Sequence, residues 1–332
     1  MKRVLILRCG ALGDLVYTTS VIDAIKLEYG ENSIIDFITT PGSGKIFEKD
    51  HRVNEVYNLK HKKIPIFFSR QKKEIIKNTK KNPYDIFINF EYGKQFMSLV
   101  DSIEAKVKVG ANIDDINIPE DITHLVDRSK YIFKNIVSDE VYKKSFPRLI
   151  GSDPNEIKSK YNLPDDFIIV SPSNSHQKRN ILNYRAWENR YWKELISRLN
   201  KDIKVCIIGN KGEDQFFDKL TPYPDGVIDL VGKTSLVDLI SIVALSKALV
   251  ATDTGTAHIA SAVDTEVFAL IGPTPANVSG PYKSPSNKVH IISSNQPCSP
   301  CYKTDVMKKC KDNVCMKQIS VDMVCSNITK IF

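Results

Sequence analysis

Three stretches of the chain carry side chains suited to chemistry on a phosphorylated ligand. The first is Arg8-Cys9-Gly10-Ala11-Leu12-Gly13-Asp14, which follows an apolar run and opens a helical pattern. Gly10 and Gly13 let backbone come close to a ligand, and Asp14 is a carboxylate able to take a proton from an attacking hydroxyl. The same carboxylate near a helix start also complements the positive end of the helix dipole, and the residues alone leave both readings open. The third glycine of a dinucleotide fingerprint is missing, so this is not that motif. The second stretch is Val250-Ala251-Thr252-Asp253-Thr254-Gly255-Thr256-Ala257-His258. Here an apolar strand runs into hydroxyl residues and a glycine before a helix. Amides at such a helix start suit a diphosphate. Thr254 and Thr256 add hydroxyls, Asp253 can orient the amides or bind a sugar hydroxyl, and His258 falls about one turn in. A capped helix with a structural histidine is the alternative. The third stretch, Ser171-Pro172-Ser173-Asn174-Ser175-His176-Gln177-Lys178, offers hydroxyls, an amide and an ammonium to an anion.

Strands and helices must bring these stretches together. Short apolar runs at Val4–Leu7, Ile35–Ile38, Val53–Leu59, Tyr84–Phe90 and Val107–Gly110 read as strands. Between them, helical patterns occupy the stretch with Leu15, Ile22, Ile25 and Tyr29, then Gln71–Lys80 and His124–Val137. The rhythm restarts with strands at Phe167–Ser171, Val205–Gly209, Val227–Val231, Ala248–Thr252, Val267–Ile271 and Val289–Ile292. Glu188–Leu199, Gln215–Leu220 and Leu236–Leu245 supply the helices of this second series. Repeated strand–helix alternation implies parallel sheets covered on both faces. Two series imply two Rossmann-like domains, with a boundary in the polar stretch Pro147–Pro164. The expected division is 1–155 for an acceptor-binding domain and 156–316 for a nucleotide-sugar-binding domain. A terminal segment, 317–332, carries the helix Val321–Ile331, expected to pack back on the first domain. All three chemical stretches follow strands, and ligands bind at the carboxyl ends of strands in such folds. The expectation is that they face one interdomain cleft.

The chain has 332 residues, 42% hydrophobic and 26% charged, which is the balance of a globular protein with room for two cores. No apolar run is long enough to span a bilayer. The run after Met1-Lys2-Arg3 ends at Arg8, too short for an export signal, so the reading places the protein in the cytoplasm. The net charge of +8 favours anionic partners. Nucleic acid is not among them, because no zinc finger, basic helix pair or aromatic RNA-binding signature accompanies the charge.

Further residues join these stretches into a recognisable order. The opening Val4-Leu5-Ile6-Leu7-Arg8 to Gly13-Asp14, then Lys178 with Trp187 and Tyr191-Trp192-Lys193-Glu194-Leu195, precede Asp253-Thr254-Gly255-Thr256-Ala257-His258. Gly272-Pro273-Thr274-Pro275 with Gly280-Pro281 follows. In this order the sequence resembles glycosyltransferase family 9, the ADP-heptose:lipopolysaccharide heptosyltransferases, from end to end, with residues from about 60 to 150 divergent. The resemblance implies a GT-B fold and an inverting, metal-independent displacement that needs no cofactor beyond the donor, ADP-heptose. It makes Asp14 the catalytic base, with Gly10 and Gly13 in the loop near the acceptor. It puts Ser173, Asn174 and Lys178 at the donor phosphates and Thr254 and Gly255 on the diphosphate. Asp253 and His258 fall beside the donor sugar, Glu213 at the ribose and Thr234 at the base. The implied acceptor is an anionic glycolipid, at the cytoplasmic face of the inner membrane. The chain departs from the family pattern with Ser20 where proline is frequent, with no proline after Trp187, and with extra residues Arg179–Ala186. These departures are expected not to touch the chemistry directly. Another nucleotide-activated sugar on the same fold, or a nucleotide-sugar-binding protein without transfer, are the alternative readings.

Two features stand outside this scheme. Cys298, Cys301, Cys310 and Cys315 have paired spacing that could suit a structural zinc or leave plain thiols. Cys9 and Cys206 read as buried thiols. Lysines and arginines from Lys60 to Lys81 surround Ile64-Pro65-Ile66-Phe67-Phe68, a pattern that suits either an anionic membrane or acceptor contact or a core segment beside a solvated helix.

Overall fold

The computed structural model describes residues 1–60, 69–174 and 183–329. The apolar loop 64–68 and the stretch 175–182, which includes Lys178, lie outside the described residues. The chain divides into two compact units, Met1–Gly151 and Ser152–Phe332. Each is built on one parallel sheet.

The first sheet contains β1 (Arg3–Leu7), β2 (Ile34–Thr39), β3 (Glu55–Asn58), β4 (Tyr84–Asn89) and β5 (Ala105–Gly110), in the order β3-β2-β1-β4-β5. Every neighbouring pair is parallel. Val4 to Leu7 are fully buried, as expected of a central strand covered on both faces. Leu5, Leu7, Phe87 and Ile38 pack with Ile75 of the helix Arg70–Lys81 and with Leu99. That helix starts at Ser69, whose hydroxyl accepts from the Lys72 amide, and its opposite face is a row of exposed cations. The buried Arg52 bridges Asp23 and Asp50 and donates to the Arg148 carbonyl, fastening the last stretch of this unit.

The second sheet contains β6 (Phe167–Ser171), β7 (Lys204–Ile207), β8 (Ile228–Asp229), β9 (Ala248–Thr252), β10 (Glu266–Leu270) and β11 (Val289–Ile292). Their order is β11-β10-β9-β6-β7-β8, again parallel throughout. The amphipathic helix Asn189–Leu199 buries Trp192, Leu195, Ile196 and Leu199 against this sheet. Trp187 lies in the same core, its ring meeting Trp192 edge-on at 4.7 Å, and its indole donates to the Ile319 carbonyl at 2.8 Å. The terminal helix Val321–Ile328 has Val321, Val324 and Ile328 in this core of the second unit. No helix among the described residues is long and apolar enough to cross a membrane.

In both sheets the strand order reverses next to the first strand: between β1 and β4, and between β6 and β9. Loops leaving the carboxyl ends of adjacent strands part there to opposite faces and open a crevice. All three stretches singled out above begin at these points, since they follow β1, β6 and β9.

The polar region read as a linker holds structure of its own. Asp153 caps the helix Pro154–Lys160, with proline in its first turn. Asp238, buried on the helix Leu236–Leu245, accepts from Ser152, Lys160 and Tyr161, each at 2.8 Å. Burial pushes the Asp238 carboxyl up, but hydrogen bonds from Lys160, Ser152, Tyr161 and Ser235 outweigh it and bring it down to about 2. A carboxyl lowered on folding stabilises the fold above its unfolded pKa of about 4, and the contribution disappears as pH falls through the folded value. Asp238→Asn is therefore expected to lower the urea midpoint at pH 7, with the gap to the parent shrinking between about pH 4 and pH 2. A gap that stays constant over that range would show that the carboxylate charge is not what fastens this helix pair.

Candidate active site

At the first switch point, Arg8 and Asp14 sit on the loop and helix that follow β1. Asp14 belongs to the first turn of the helix Leu12–Thr18 and accepts from the Ala11 amide at 3.0 Å. It thus closes its own helix start, while the Arg8 guanidinium lies 3.4 Å from its other oxygen. Arg8 also donates to the Phe90 carbonyl at 2.9 Å and lies 3.6 Å from Glu91. Glu91 accepts from the Cys9 amide at 2.6 Å. Sequence reasoning passed over Glu91, a carboxylate two residues beyond β4, whose place gains meaning only because β4 lies beside β1. Asn89, fully buried, accepts from the Glu91 amide and donates to the Glu91 and Ala111 carbonyls. Gly110 brings that second loop in: its φ is +124°, and a Cβ there would lie 2.1 Å from the Asn89 carbonyl oxygen. Gly10 is constrained by its neighbour, because an added Cβ would meet Asp14 Cβ at 2.6 Å. Gly13 lies inside the same helix and is half-buried.

At the second switch point, Asp253 follows β9 and is 6% exposed. Its Oδ2 accepts from the Thr274 hydroxyl at 2.6 Å and lies 3.2 Å from Arg185 Nε. The extra segment Arg179–Ala186, expected not to touch the chemistry directly, thus reaches Asp253 through Arg185. Arg185, at the end of that segment, is the cation beside Asp253. Its guanidinium lies 4.5 Å over the Tyr302 ring. Thr254 caps the helix Gly255–Ser261 in extended conformation without using its side chain, and its buried hydroxyl has no hydrogen-bond partner among the described residues. The first-turn amides of that helix have no carbonyl one turn back to receive them. Together they are donors without an acceptor among the described residues. His258 is buried one turn further on. After β6, Ser173 and Asn174 are buried, and Asn174 Oδ1 accepts from Asn183 at 3.0 Å.

The remaining residues singled out in the sequence sit farther along the sheet. Glu213 is buried after β7, where its carboxylate accepts from the backbone and side-chain amides of Asn210 at 2.9 and 3.1 Å. Thr234 is half-buried just before the helix Leu236–Leu245. Cys9 and Cys206 are buried, and burial pushes both thiols up, Cys206 to about 12. Cys301 and Cys315 are also buried, Cys310 is half-buried and Cys298 exposed, all as free thiols. No group of three or more histidine, cysteine or acidic side chains among the described residues is arranged to hold a metal ion.

Two parallel-sheet α/β units, each presenting polar loops at its switch point, define a GT-B glycosyltransferase fold, and solved structures share it over the whole chain. Escherichia coli ADP-heptose lps heptosyltransferase II aligns with a TM-score of 0.77 at 16% identity, covering 100% of this chain and 98% of that one. E. coli heptosyltransferase WaaC, solved with ADP, aligns with a TM-score of 0.72 at 19% identity, covering 99% and 100%. Among sequences, lipopolysaccharide heptosyltransferase 3 of E. coli is 22% identical over 288 residues, 79% of this chain and 81% of the relative. The profile of glycosyltransferase family 9 (heptosyltransferase) matches residues 95–311. The chain belongs to glycosyltransferase family 9.

Gly10→Ala is expected to push Asp14 away from the Ala11 amide and remove that cap, at a cost of about 1 kcal/mol, read as a lowered unfolding midpoint. An unchanged midpoint would mean that the carboxylate swings aside freely and that its tie to Ala11 contributes nothing.

Proposed function

We propose that the protein transfers heptose from ADP-heptose to a lipopolysaccharide core or a related surface glycan, with inversion at the anomeric carbon. The observation that carries this reading is the second switch point: a cation beside Asp253, a buried hydroxyl without a partner, and open first-turn amides on one strand end. These are the groups a departing nucleoside diphosphate needs. The names and bound ADP of the relatives supply the identity of the sugar and the nucleotide.

In this reading an acceptor hydroxyl oxygen attacks the anomeric carbon, and the bond from that carbon to the diphosphate oxygen breaks. The hydroxyl proton passes to Asp14. Arg8 and the Ala11 amide hold that carboxylate in one orientation, leaving less to arrange in the transition state. The electron pair of the broken bond leaves with ADP, whose charge is met by Arg185, Lys178, Thr254 and the first-turn amides, so the displacement needs no metal. Asp253 and His258 border the sugar, Ser173 and Asn174 the phosphates, Glu213 the ribose and Thr234 the base. Gly10 and Gly13 leave room for the acceptor. A second reading keeps the fold and the displacement but uses a different activated sugar.

A thermal-shift panel of ADP-heptose against UDP-, GDP- and dTDP-sugars separates the two, because a ligand that binds only the folded state raises the melting temperature. Selective stabilisation by ADP-heptose is expected, and stabilisation by another nucleotide sugar alone would replace the donor. Asp14→Asn is expected to cut transfer by roughly 100- to 10,000-fold while ADP still binds. A variant that retains the parent rate would remove Asp14 from the role of base.

Acceptors of this class are carried on lipid, and we place the protein at the cytoplasmic face of the inner membrane as a peripheral visitor. The exposed cations Arg70, Lys73, Lys77, Lys80 and Lys81 on one helix make no ion pair among the described residues and suit an anionic headgroup layer. Vesicles containing phosphatidylglycerol are expected to sediment the protein, and Lys73→Glu/Lys77→Glu/Lys80→Glu to abolish this without altering ADP binding. Equal sedimentation with purely zwitterionic vesicles would exclude the electrostatic contact.

A further inference from the structure

The cysteine-bearing segment near the end of the chain holds none of the residues assigned above to sugar transfer, yet it reaches the second switch point. The amides of Cys301 and Tyr302 both donate to the Pro273 carbonyl at 2.9 Å. Ser299 donates to the Gly272 carbonyl at 2.5 Å. The segment is therefore pinned to the loop that carries Thr274, whose hydroxyl holds Asp253. From that anchorage Tyr302 lays its ring against the Arg185 guanidinium at 4.5 Å, and Arg185 in turn meets Asp253. Tyr302, Pro273–Thr274, Asp253 and Arg185 thus form a closed ring of contacts. The same segment holds the backbone around Arg185, since Asn313 donates to the Ala186 carbonyl at 2.9 Å and to the Asn183 carbonyl at 3.5 Å, while Asn183 Oδ1 locally accepts from the Arg185 amide at 3.2 Å.

An arginine has many rotamers, and a single carboxylate contact at Nε leaves the plane of the guanidinium free to turn. A ring lying against the guanidinium restricts that freedom. It leaves the Nη edges, which donate to no acceptor among the described residues, in a set direction. We infer that Tyr302 is a positioning residue for donor binding, acting through Arg185. This rests on the reading of Arg185 and Asp253 as part of the donor site.

The test is a double-mutant cycle read by calorimetric titration with ADP, using Tyr302→Leu, Tyr302→Phe, Arg185→Ala and Tyr302→Leu/Arg185→Ala in the full chain. Tyr302→Leu is expected to weaken ADP binding roughly fivefold, the scale of one partly exposed cation–π contact. Tyr302→Phe keeps the ring and should bind as the parent does. In the Arg185→Ala background the same Tyr302→Leu change should cost nothing further, because its effect passes through the guanidinium. An equal loss in both backgrounds, or no loss in either, would overturn the inference. Should Arg185→Ala itself bind ADP as tightly as the parent, the donor-site reading fails and the inference with it; a weakened Arg185→Ala with an unaffected Tyr302→Leu removes the inference alone.

Discussion

A carboxylate at the end of a strand that is covered on both faces loses solvation, and donors within the fold must replace the water. Most of the arrangement at both switch points follows from that constraint. Asp253 stands directly after β9 and takes a hydroxyl from Thr274 and a guanidinium from Arg185, so two distant loops are drawn to one strand end. Glu91, just beyond β4, takes the Cys9 amide and the neighbourhood of Arg8, and thereby ties the loop after β1 to the loop after β4. Compensating each acid is what assembles each site.

The two assemblies differ in what they leave over. Around Arg8 the guanidinium is shared among Phe90, Glu91 and Asp14, and the Asp14 carboxylate keeps a half-exposed surface. Around Asp253 the acid is enclosed, and what remains without a partner among the described residues are donors: the Thr254 hydroxyl and the first-turn amides. One unit thus leaves over a half-exposed carboxylate, the other a set of donors. Donors fixed in this way need little reorganisation where negative charge develops, which is the condition under which fixed dipoles act most strongly.

Strands and their order of succession were legible because parallel strands buried on both faces must be apolar nearly throughout, as Val4–Leu7 and Ala248–Thr252 are. Asp14 and Asp253 were legible for the same reason, since a lone acid at the junction of such a run with a helix stands out. Arg185 was not. It lies in a segment that departs from the family pattern, and its meaning comes only from a partner after β9 and a ring near the chain end. Glu91 was hidden differently, because its value depends on β4 lying next to β1, a matter of strand order that no local pattern encodes. The helix Pro154–Lys160 was read as linker because its polar, proline-bearing start is also what a boundary looks like. Beyond its Asp153 cap, it is held by Asp238, far along the chain.

The placement of the aromatic residues has an optical consequence. The chain has two tryptophans, Trp187 and Trp192, and both lie in the core of the second unit, edge to face. The first unit, with its own sheet and core, contains none. Light absorbed at the red edge of the protein spectrum is therefore emitted from one half of the molecule. A fluorescence trace of unfolding records the melting of the sheet that carries Asp253, while the half that carries Asp14 can open without dimming it. Circular dichroism sees both, so the separation between the two signals measures directly whether the units share one cooperative transition or hold their folds independently.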